Sequence, residues 1–278
     1  MLWRSRFLVL MLGFGGAGYA LGAAIARYLG VFRRWETALA GLVWVGLVLA
    51  GGWAIARAFS PETDEQTRRR GLNTAFVLFA GAGLISAALV WQQALPALAA
   101  WLQFLLAAGV VLTTAPPLRL LDKGYGELLL AAGTTLVAPA LAFALQTGTL
   151  HRLVGMAGLP LFFLALAALL AWDFPNYAAH LKRERRTLLM RLDWQTAFRI
   201  HNIALLTGFL LLALDAWLGM PLEIVVPCGL PLLAALGQIG VLQRVAAGAR
   251  PPWRWLRANA VLIVGLTAYL LIMGFWRL

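Results

Sequence analysis

The sequence predicts an all-α integral membrane protein, and three features lead to that class. Hydrophobic residues occupy 62% of the 278 positions, whereas charged residues occupy 12%. Soluble domains carry about 25% charged residues, so this chain has too few to cover itself with a polar surface. The apolar residues also fall into runs of about 20, the length that an α-helix needs to cross the hydrocarbon core of a bilayer.

Nine apolar runs divide the chain, and each is expected to form one helix that spans the membrane. The runs lie at about 7–27, 37–59, 72–92, 96–117, 127–147, 152–172, 197–217, 223–243 and 256–276. The longest stretch between two runs has about 24 residues, too few for a separate soluble domain. We therefore expect residues 1–278 to form a single transmembrane domain. Its first run is longer than the apolar part of a signal peptide, so it is expected to be retained.

Basic residues predict the orientation of these helices. Of the 23 lysines and arginines, eighteen fall on the side that includes the N-terminal segment. Because positively charged loops stay in the cytoplasm, we expect a cytoplasmic N-terminus in a multi-pass protein of a bacterial inner membrane. The basic residues behind the formal net charge of +12 are then expected to orient the helices and to contact lipid headgroups. Nucleic acid is not expected as a partner.

The segment from Asp173 to Leu192 has a high density of polar groups directly after an apolar run. It begins Asp-Phe-Pro-Asn-Tyr, contains His180, and carries five basic residues. These are Lys182, Arg183, Arg185, Arg186 and Arg191. Insertion of a charged residue at the bilayer centre costs about 2.5–3.5 kcal/mol of free energy, so polar groups next to a membrane-spanning helix usually indicate a functional site. A cytoplasmic loop that only fixes topology is the alternative, although it would need only the basic residues.

Aromatic residues supply candidates for a cavity lining. Most of the 12 tryptophans lie near predicted helix ends, as expected for an interfacial belt. A smaller set lies deeper or beside the polar segment, where aromatic rings could enclose an apolar or cationic species. This set is Trp44, Trp53, Trp101, Phe104 and Tyr177.

The loop between the fourth and fifth runs reads TTAPPLRLLDKGYGE from Thr113 to Glu127. Its prolines end a helix, its glycines allow tight turns, and Arg119 and Lys123 add two cations to the cytoplasmic side. The loop resembles the pattern Tyr-x-Gly-Pro-Pro-Leu-Lys, then Gly-x-Gly-Glu, of the UbiA superfamily of intramembrane prenyltransferases. The likeness is greatest to its 1,4-dihydroxy-2-naphthoate polyprenyltransferase branch. Thr113 and Ala115 replace the tyrosine and the first glycine, and Glu127 is expected to seat the loop.

The chain after Asp173 resembles the second aspartate motif of the same family, Phe-Pro-Asp-Tyr-x-x-Asp followed by Lys-Arg-Thr-Leu and Arg-Leu-Gly. The matching residues are Phe174, Pro175, Tyr177, Arg185, Arg186, Thr187, Leu188, Arg191 and Leu192. The resemblance implies nine helices around a central cavity that faces the cytoplasm. It also implies Mg²⁺-dependent transfer of a prenyl chain from a prenyl diphosphate to an aromatic acceptor in menaquinone or quinone biosynthesis.

Both aspartate motifs depart from the family pattern. The first motif fits best at 56–64, where only its last acid, Asp64, remains, with Glu62 nearby. In the second motif both aspartates are replaced, and Asp173 is the carboxylate just upstream. The degenerate positions are Ala56, Arg57, Ser60, Asn176 and His180. Mg²⁺ prefers hard oxygen ligands and assists the departure of a diphosphate, so the loss of acids from both motifs weakens the case for catalysis.

The leading hypothesis is therefore a non-catalytic UbiA-like protein that needs no cofactor. It would bind an isoprenoid lipid, such as a quinone, a carotenoid or a prenylated pigment, or act as a subunit of a membrane protein complex. The alternative is an active, divergent transferase. In that case the metal ligands would be Glu62, Asp64, Asp173 and Asn176, and the diphosphate would meet Arg119, Lys123, Lys182, Arg185 and Arg186. A transporter is a third class, but no polar path across the bilayer is visible in the last three runs.

Overall fold

A computed structural model describes residues 2–60, 63–177 and 187–278, with side chains from Leu8 onward. These residues form helices joined by short loops and contain no strand. Nine of the helices are long and apolar enough to cross a membrane, which confirms the predicted fold class. They are α1 (Leu2–Tyr28), α2 (Trp35–Ala58), α3 (Glu65–Trp91), α4 (Ala97–Thr114), α5 (Gly126–Thr147), α6 (Arg152–Asp173), α7 (Trp194–Trp217), α8 (Leu222–Ala246) and α9 (Trp253–Arg277). A short helix, Leu188–Leu192, precedes α7.

The helices differ in how much of their surface meets protein. α5 and α6 lie at the centre, since about two thirds or more of each span is buried, whereas α3 and α8 lie at the periphery. α1 packs against α2, α5 and α9, and α6 packs against α7 and α9. α3 pairs with α2 as an outer hairpin. The polar loops after α2, α4 and α6 are therefore carried by helices with very different exposure.

α3 begins at Glu65, about two turns before the apolar run that predicts it. Asp64 caps this helix, because its carboxylate accepts a hydrogen bond from the Thr67 backbone N–H at 3.3 Å. Glu65 then pairs with Arg68 at 3.4 Å and with Arg69 at 3.1 Å along the same helix. A cap and ion pairs spaced three and four residues apart stabilise a helix without burying apolar surface, so a hydropathy window does not detect these turns.

α5 contains a π-helical turn at Gly133–Val137, which ends two residues before Pro139. Proline has no N–H to donate to the preceding turn, which accounts for the wider turn at this point. The Thr135 hydroxyl donates to the Ala131 carbonyl at 2.8 Å, and Thr134 donates to the Leu130 carbonyl at 2.7 Å. Side chains thus occupy some of the carbonyl acceptors of the irregular turn, where hydrocarbon could offer no partner.

Glycines let α1 approach this irregular part of α5. A methyl group at Gly18 would overlap the Thr134 carbonyl oxygen, and one at Gly22 would overlap the Pro139 carbonyl oxygen. Small residues at such crossings allow two backbones to come into contact, which is a main source of packing energy between membrane helices. The glycine-rich part of α1 therefore has a structural role at these two positions.

Gln146, near the end of α5, fixes the loop between α1 and α2. Its buried side-chain oxygen accepts hydrogen bonds from the backbone N–H groups of Arg33 at 2.9 Å and Arg34 at 3.1 Å. Its amide nitrogen donates to the Arg34 carbonyl at 3.2 Å. One side chain thus satisfies three backbone groups at the start of α2.

We expect Gly22→Ala to destabilise the bundle by about 1–3 kcal/mol, because the added methyl group meets the backbone of Pro139 rather than a movable side chain. Gly16→Ala on the same helix is the matched control, since nothing lies within 4 Å of its added methyl group. Thermal unfolding of the two variants in detergent measures the difference. Equal melting temperatures would show that α1 and α5 are not in close contact at Gly22.

Candidate functional site

The loop between α4 and α5 carries two of the predicted phosphate-binding cations, and both have partners within the loop. A cis peptide bond joins Pro116 to Pro117. Arg119 has a left-handed backbone conformation (φ 41°) and places a guanidinium nitrogen 2.5 Å from a carboxylate oxygen of Asp122. The Lys123 ammonium group donates to the Pro117 carbonyl at 3.4 Å. A phosphate that bound here would therefore compete with partners inside the loop.

Two contacts join this loop to the chain that follows the second motif. The buried carboxylate of Glu127, in the first turn of α5, accepts a hydrogen bond from the Leu188 backbone N–H at 3.3 Å. Arg191 donates to the Tyr125 hydroxyl at 3.1 Å, and its guanidinium carbon lies 4.5 Å from the centre of that ring. Glu127 thus makes a contact of the kind expected from a residue that seats the loop. The link between Tyr125 and Arg191 was not expected from the sequence.

The second motif continues directly from α6. Asp173 is the last residue of that helix and is buried, and a single 3₁₀ turn, Phe174–Asn176, follows it. The Asn176 amide donates to an Asp173 carboxylate oxygen at 3.4 Å. The Phe174 ring is buried and lies 5.6 Å from the ring of Trp194, and Tyr177 lies 5.2 Å from that same ring. An aromatic cluster therefore holds the turn in which Asn176 replaces an expected aspartate.

Arg257, in the second turn of α9, supplies a cation to this turn. It donates to the Trp172 carbonyl at 3.0 Å and to the Asn176 side-chain oxygen at 3.3 Å. Its guanidinium carbon also lies 5.4 Å from the centre of the Trp172 ring. From the sequence, Arg257 counts only as one of the basic residues that fix topology. Its position inside the ninth spanning helix is the signal that could have singled it out, because ionisable groups in such segments usually have a partner.

The first motif divides between the interior and the surface. Ser60 is buried, whereas Ala56 is partly exposed and Arg57 places its guanidinium carbon 5.6 Å from the centre of the Trp53 ring. Asp64 is exposed, and hydrogen bonds from the Thr67 hydroxyl and backbone N–H hold the pKa of its carboxyl below the ordinary value. Asp64 is therefore ionised at neutral pH, and its carboxylate caps α3.

Several sequence-predicted residues lie outside the described part of the chain. These are Glu62, His180, Lys182, Arg185 and Arg186. Their predicted roles as metal or phosphate ligands, and the degenerate status of His180, stay predictions.

The predicted cavity-lining aromatic residues take different positions. Trp44 is buried in the core. Trp101 and Phe104 form an edge-to-face pair with ring centres 6.0 Å apart, and 69% and 64% of their surfaces are exposed on the outside of α4. Exposed aromatic residues on a spanning helix face lipid. Neither residue belongs to the lining of the cavities described below.

The described residues do not fit a pair of Mg²⁺ ions. Such a pair would need several carboxylate oxygens from both motifs. Among the residues whose side chains are described, no three histidine, cysteine, aspartate or glutamate side chains are grouped to hold a metal ion. The Asn176 oxygen, one of the predicted ligands, accepts a hydrogen bond from the positively charged Arg257 side chain at 3.3 Å.

An apolar cavity of about 440 Å³ lies among α1, α5, α6 and α9. Most of its lining residues are small or aliphatic, and two aromatic residues, Phe14 from α1 and Trp172 from the end of α6, complete the walls. Small residues on α1 and α9, namely Gly13, Ala17, Gly18, Gly265 and Ala268, make room for it. At Gly13 nothing lies within 4 Å of an added methyl group, so this glycine leaves space for the cavity and does not serve close helix packing. A separate apolar space of about 200 Å³ lies among α2, α4 and α5.

A chain of buried hydrogen bonds links α7, α8 and α9. His201 is fully buried, with one ring nitrogen 3.0 Å from the Asn202 oxygen and the other 2.9 Å from the Gln238 amide nitrogen. Asn259 donates to the Gln238 oxygen at 2.8 Å and to the Ala234 carbonyl at 3.0 Å. Polar groups that are satisfied by neighbouring helices in this way hold membrane helices in register.

The nine spanning helices of the described residues, with polar loops after α2, α4 and α6 and an apolar cavity between helices, define a polytopic membrane protein. No family model matches the sequence, and no curated protein matches it. Its fold, however, is that of UbiA homologues. A UbiA homologue from Archaeoglobus fulgidus bound to GPP and Mg²⁺ shares 13% identity and a TM-score of 0.68, with 97% of this chain and 98% of that chain covered.

Two further solved structures show the same likeness. A digeranylgeranylglyceryl phosphate synthase shares 11% identity and a TM-score of 0.71, with 99% of each chain covered. The Archaeoglobus fulgidus homologue bound to DMAPP and Mg²⁺ shares 12% identity and a TM-score of 0.67, with 97% and 98% covered. The UbiA fold predicted from the two motifs is thus confirmed over nearly the whole chain.

We expect Arg257→Gln to lower the free energy of unfolding by about 1–3 kcal/mol, because it removes charged donors from the Trp172 carbonyl and from Asn176. Arg254→Gln is the matched control, since Arg254 is exposed one turn earlier on the same helix. Thermal unfolding in detergent measures both variants. If the two substitutions have the same effect, the link between α9 and the second motif does not contribute to stability.

Proposed function

We propose that this UbiA-fold protein binds an isoprenoid lipid and has little or no Mg²⁺-dependent transferase activity. The observation that carries the proposal is the hydrogen bond from Arg257 to Asn176, at the place where the family pattern has an aspartate. A fixed guanidinium can pair with an anion, but its charge opposes the approach of Mg²⁺. Holding a phosphate is also a weaker requirement than assisting its departure, which needs charge stabilisation in the transition state.

The apolar cavity among α1, α5, α6 and α9 is the proposed site for the isoprenoid chain. Its volume of about 440 Å³ lies within the usual range for small-molecule pockets, and its lining is apolar as such a chain requires. Trp172 belongs to the cavity wall and also contacts Arg257. A ligand in this cavity would therefore place its polar end, such as a quinone carbonyl, near the second motif.

Orientation and partners belong to the same proposal. The excess of basic residues in the loops after α2, α4 and α6 supports a cytoplasmic location for these loops and for the N-terminus. The central cavity would then face the cytoplasm, in a bacterial inner membrane. Membrane lipid is the expected surrounding of the exposed apolar faces. A role as a subunit of a membrane protein complex is compatible with the same ligand site.

An active transferase is the second candidate, and one observation favours it. The buried carboxylates of Glu127 and Asp173 are close enough to interact electrostatically. Two buried acids could together bind one cation, which would be a simpler arrangement than the two-motif metal site. In this reading Asp173 would be a metal ligand, and the product would be a prenylated aromatic acceptor of quinone biosynthesis.

Prenyl transfer by the purified protein distinguishes the two candidates. We expect no Mg²⁺-dependent transfer from GPP to 1,4-dihydroxy-2-naphthoate, because the described motif residues do not supply a two-metal site. An active UbiA-family transferase in the same lipid is the positive control. Robust transfer would overturn the proposal. Loss of that transfer in Asp173→Ala and Asp64→Ala would then assign the metal to these acids.

Filling the apolar cavity tests the lipid site directly. We expect wild-type protein from native membranes to retain an isoprenoid lipid. Gly265→Leu should retain that lipid at a level reduced at least about fivefold, in line with an overpacking cost of about 1–3 kcal/mol. Gly237→Leu on α8 is the control, since nothing lies within 4 Å of either added methyl group and Gly237 is outside the cavity. Mass spectrometry of extracted lipids gives the readout. Equal retention in the two variants would place the ligand elsewhere.

A further inference from the structure

A third cavity, of about 190 Å³, lies between the end of α2 and the start of α3, and its chemistry differs from that of the apolar cavity. Two arginines, two threonines and a tryptophan contribute to its walls. We call it the α2–α3 pocket, and its polar and aromatic lining is Trp53, Arg57, Thr67, Arg70 and Thr74. Gly71 allows the two helices to meet here, since a methyl group at that position would lie 3.0 Å from the Ala58 side chain.

The two arginines of the pocket are arranged differently from their neighbours on α3. Arg68 and Arg69 form ion pairs with Glu65. Within the described part of the chain, no ion pair is found for Arg57 or Arg70. The nearby carboxylate of Asp64 caps α3 through Thr67. The pocket therefore has two guanidinium groups whose charge is not balanced by an acid of the described chain.

The pocket lies on the lipid-facing side of the α2–α3 hairpin. Arg57 follows Leu39 by eighteen residues, which is five helical turns, so both lie on one face of α2, and 56% of Leu39 is exposed. On α3, Val77 and Leu84 follow Arg70 by seven and fourteen residues, and 66% and 72% of their surfaces are exposed. Apolar side chains on these faces contact lipid tails. The arginines at the polar ends of the same faces then lie at the level of the headgroups.

We infer that the α2–α3 pocket binds the phosphate group of an anionic membrane lipid. Guanidinium groups bind phosphate oxygens through paired, charge-assisted hydrogen bonds, and two of them can hold one phosphate from two sides. The exposed faces of α2 and α3 would carry the acyl chains of the same lipid. This site shares no residue with the apolar cavity proposed for the isoprenoid, so the two proposals stand or fall separately.

Lipid enrichment around the whole protein tests this site. The protein is placed in nanodiscs that contain phosphatidylcholine and phosphatidylglycerol, and native mass spectrometry counts the lipids that stay bound. We expect preferential retention of phosphatidylglycerol. Arg57→Gln or Arg70→Gln should reduce it about fivefold each, the contribution of one basic residue near an anionic surface. Arg68→Gln should leave it unchanged, because Arg68 pairs with Glu65 outside the pocket.

Soluble phosphate could offer the same chemistry, so a second arm uses nanodiscs of phosphatidylcholine alone with added inorganic phosphate. One outcome is that phosphate stabilises the wild type but not the Arg57→Gln/Arg70→Gln variant, while neither protein prefers phosphatidylglycerol. That outcome would confirm the anion site and overturn the lipid as the source of the phosphate. Equal retention of phosphatidylglycerol by the double variant and the wild type would overturn the site itself. The melting temperature of the double variant without ligand checks that it folds.

Discussion

Hydrocarbon offers no hydrogen-bond partner, and this constraint shapes the irregular part of the bundle that lies inside a spanning helix. Where the chain leaves regular α-helix inside the membrane, side chains and neighbouring helices supply the missing contacts. Threonine hydroxyls do so at the π-helical turn of α5. At the ends of the spans, Gln146 satisfies backbone N–H groups of the loop before α2, and Arg257 satisfies the Trp172 carbonyl at the end of α6. Each of these irregularities is thus held by a named side chain.

Charge distribution separates this protein from the metal-dependent pattern that its motifs resemble. In that pattern acids bring in metal ions, and the metals carry the positive charge. Here part of the positive charge is built into the chain, since Arg257 contacts Asn176 and Arg57 stands at an expected acid. The two arginines lie in different parts of the bundle, Arg257 beside the end of α6 and Arg57 in the α2–α3 pocket.

The sequence predicts the number, order and approximate limits of the spanning helices, because apolar length is a strong and local signal. It places the start of α3 too late, since a cap at Asp64 and ion pairs of Glu65 carry no hydropathy signal. It cannot tell which side of an apolar helix meets protein, so Trp44 and Trp101 look alike in the sequence although one is buried and the other faces lipid. The role of Arg257 is equally hidden, because its partners lie on another helix.

The contact between α6 and α9 also bears on how the molecule is assembled. Asn176 and Arg257 are separated by 81 positions, and two membrane crossings lie between them. The Asn176 amide, in the turn after α6, therefore gains this hydrogen bond only after α9 has entered the bilayer. Until then this edge of the bundle has neither its cation nor one wall of its apolar cavity. Because α9 supplies one wall of the apolar cavity, that cavity is complete only after the ninth helix has packed against the others.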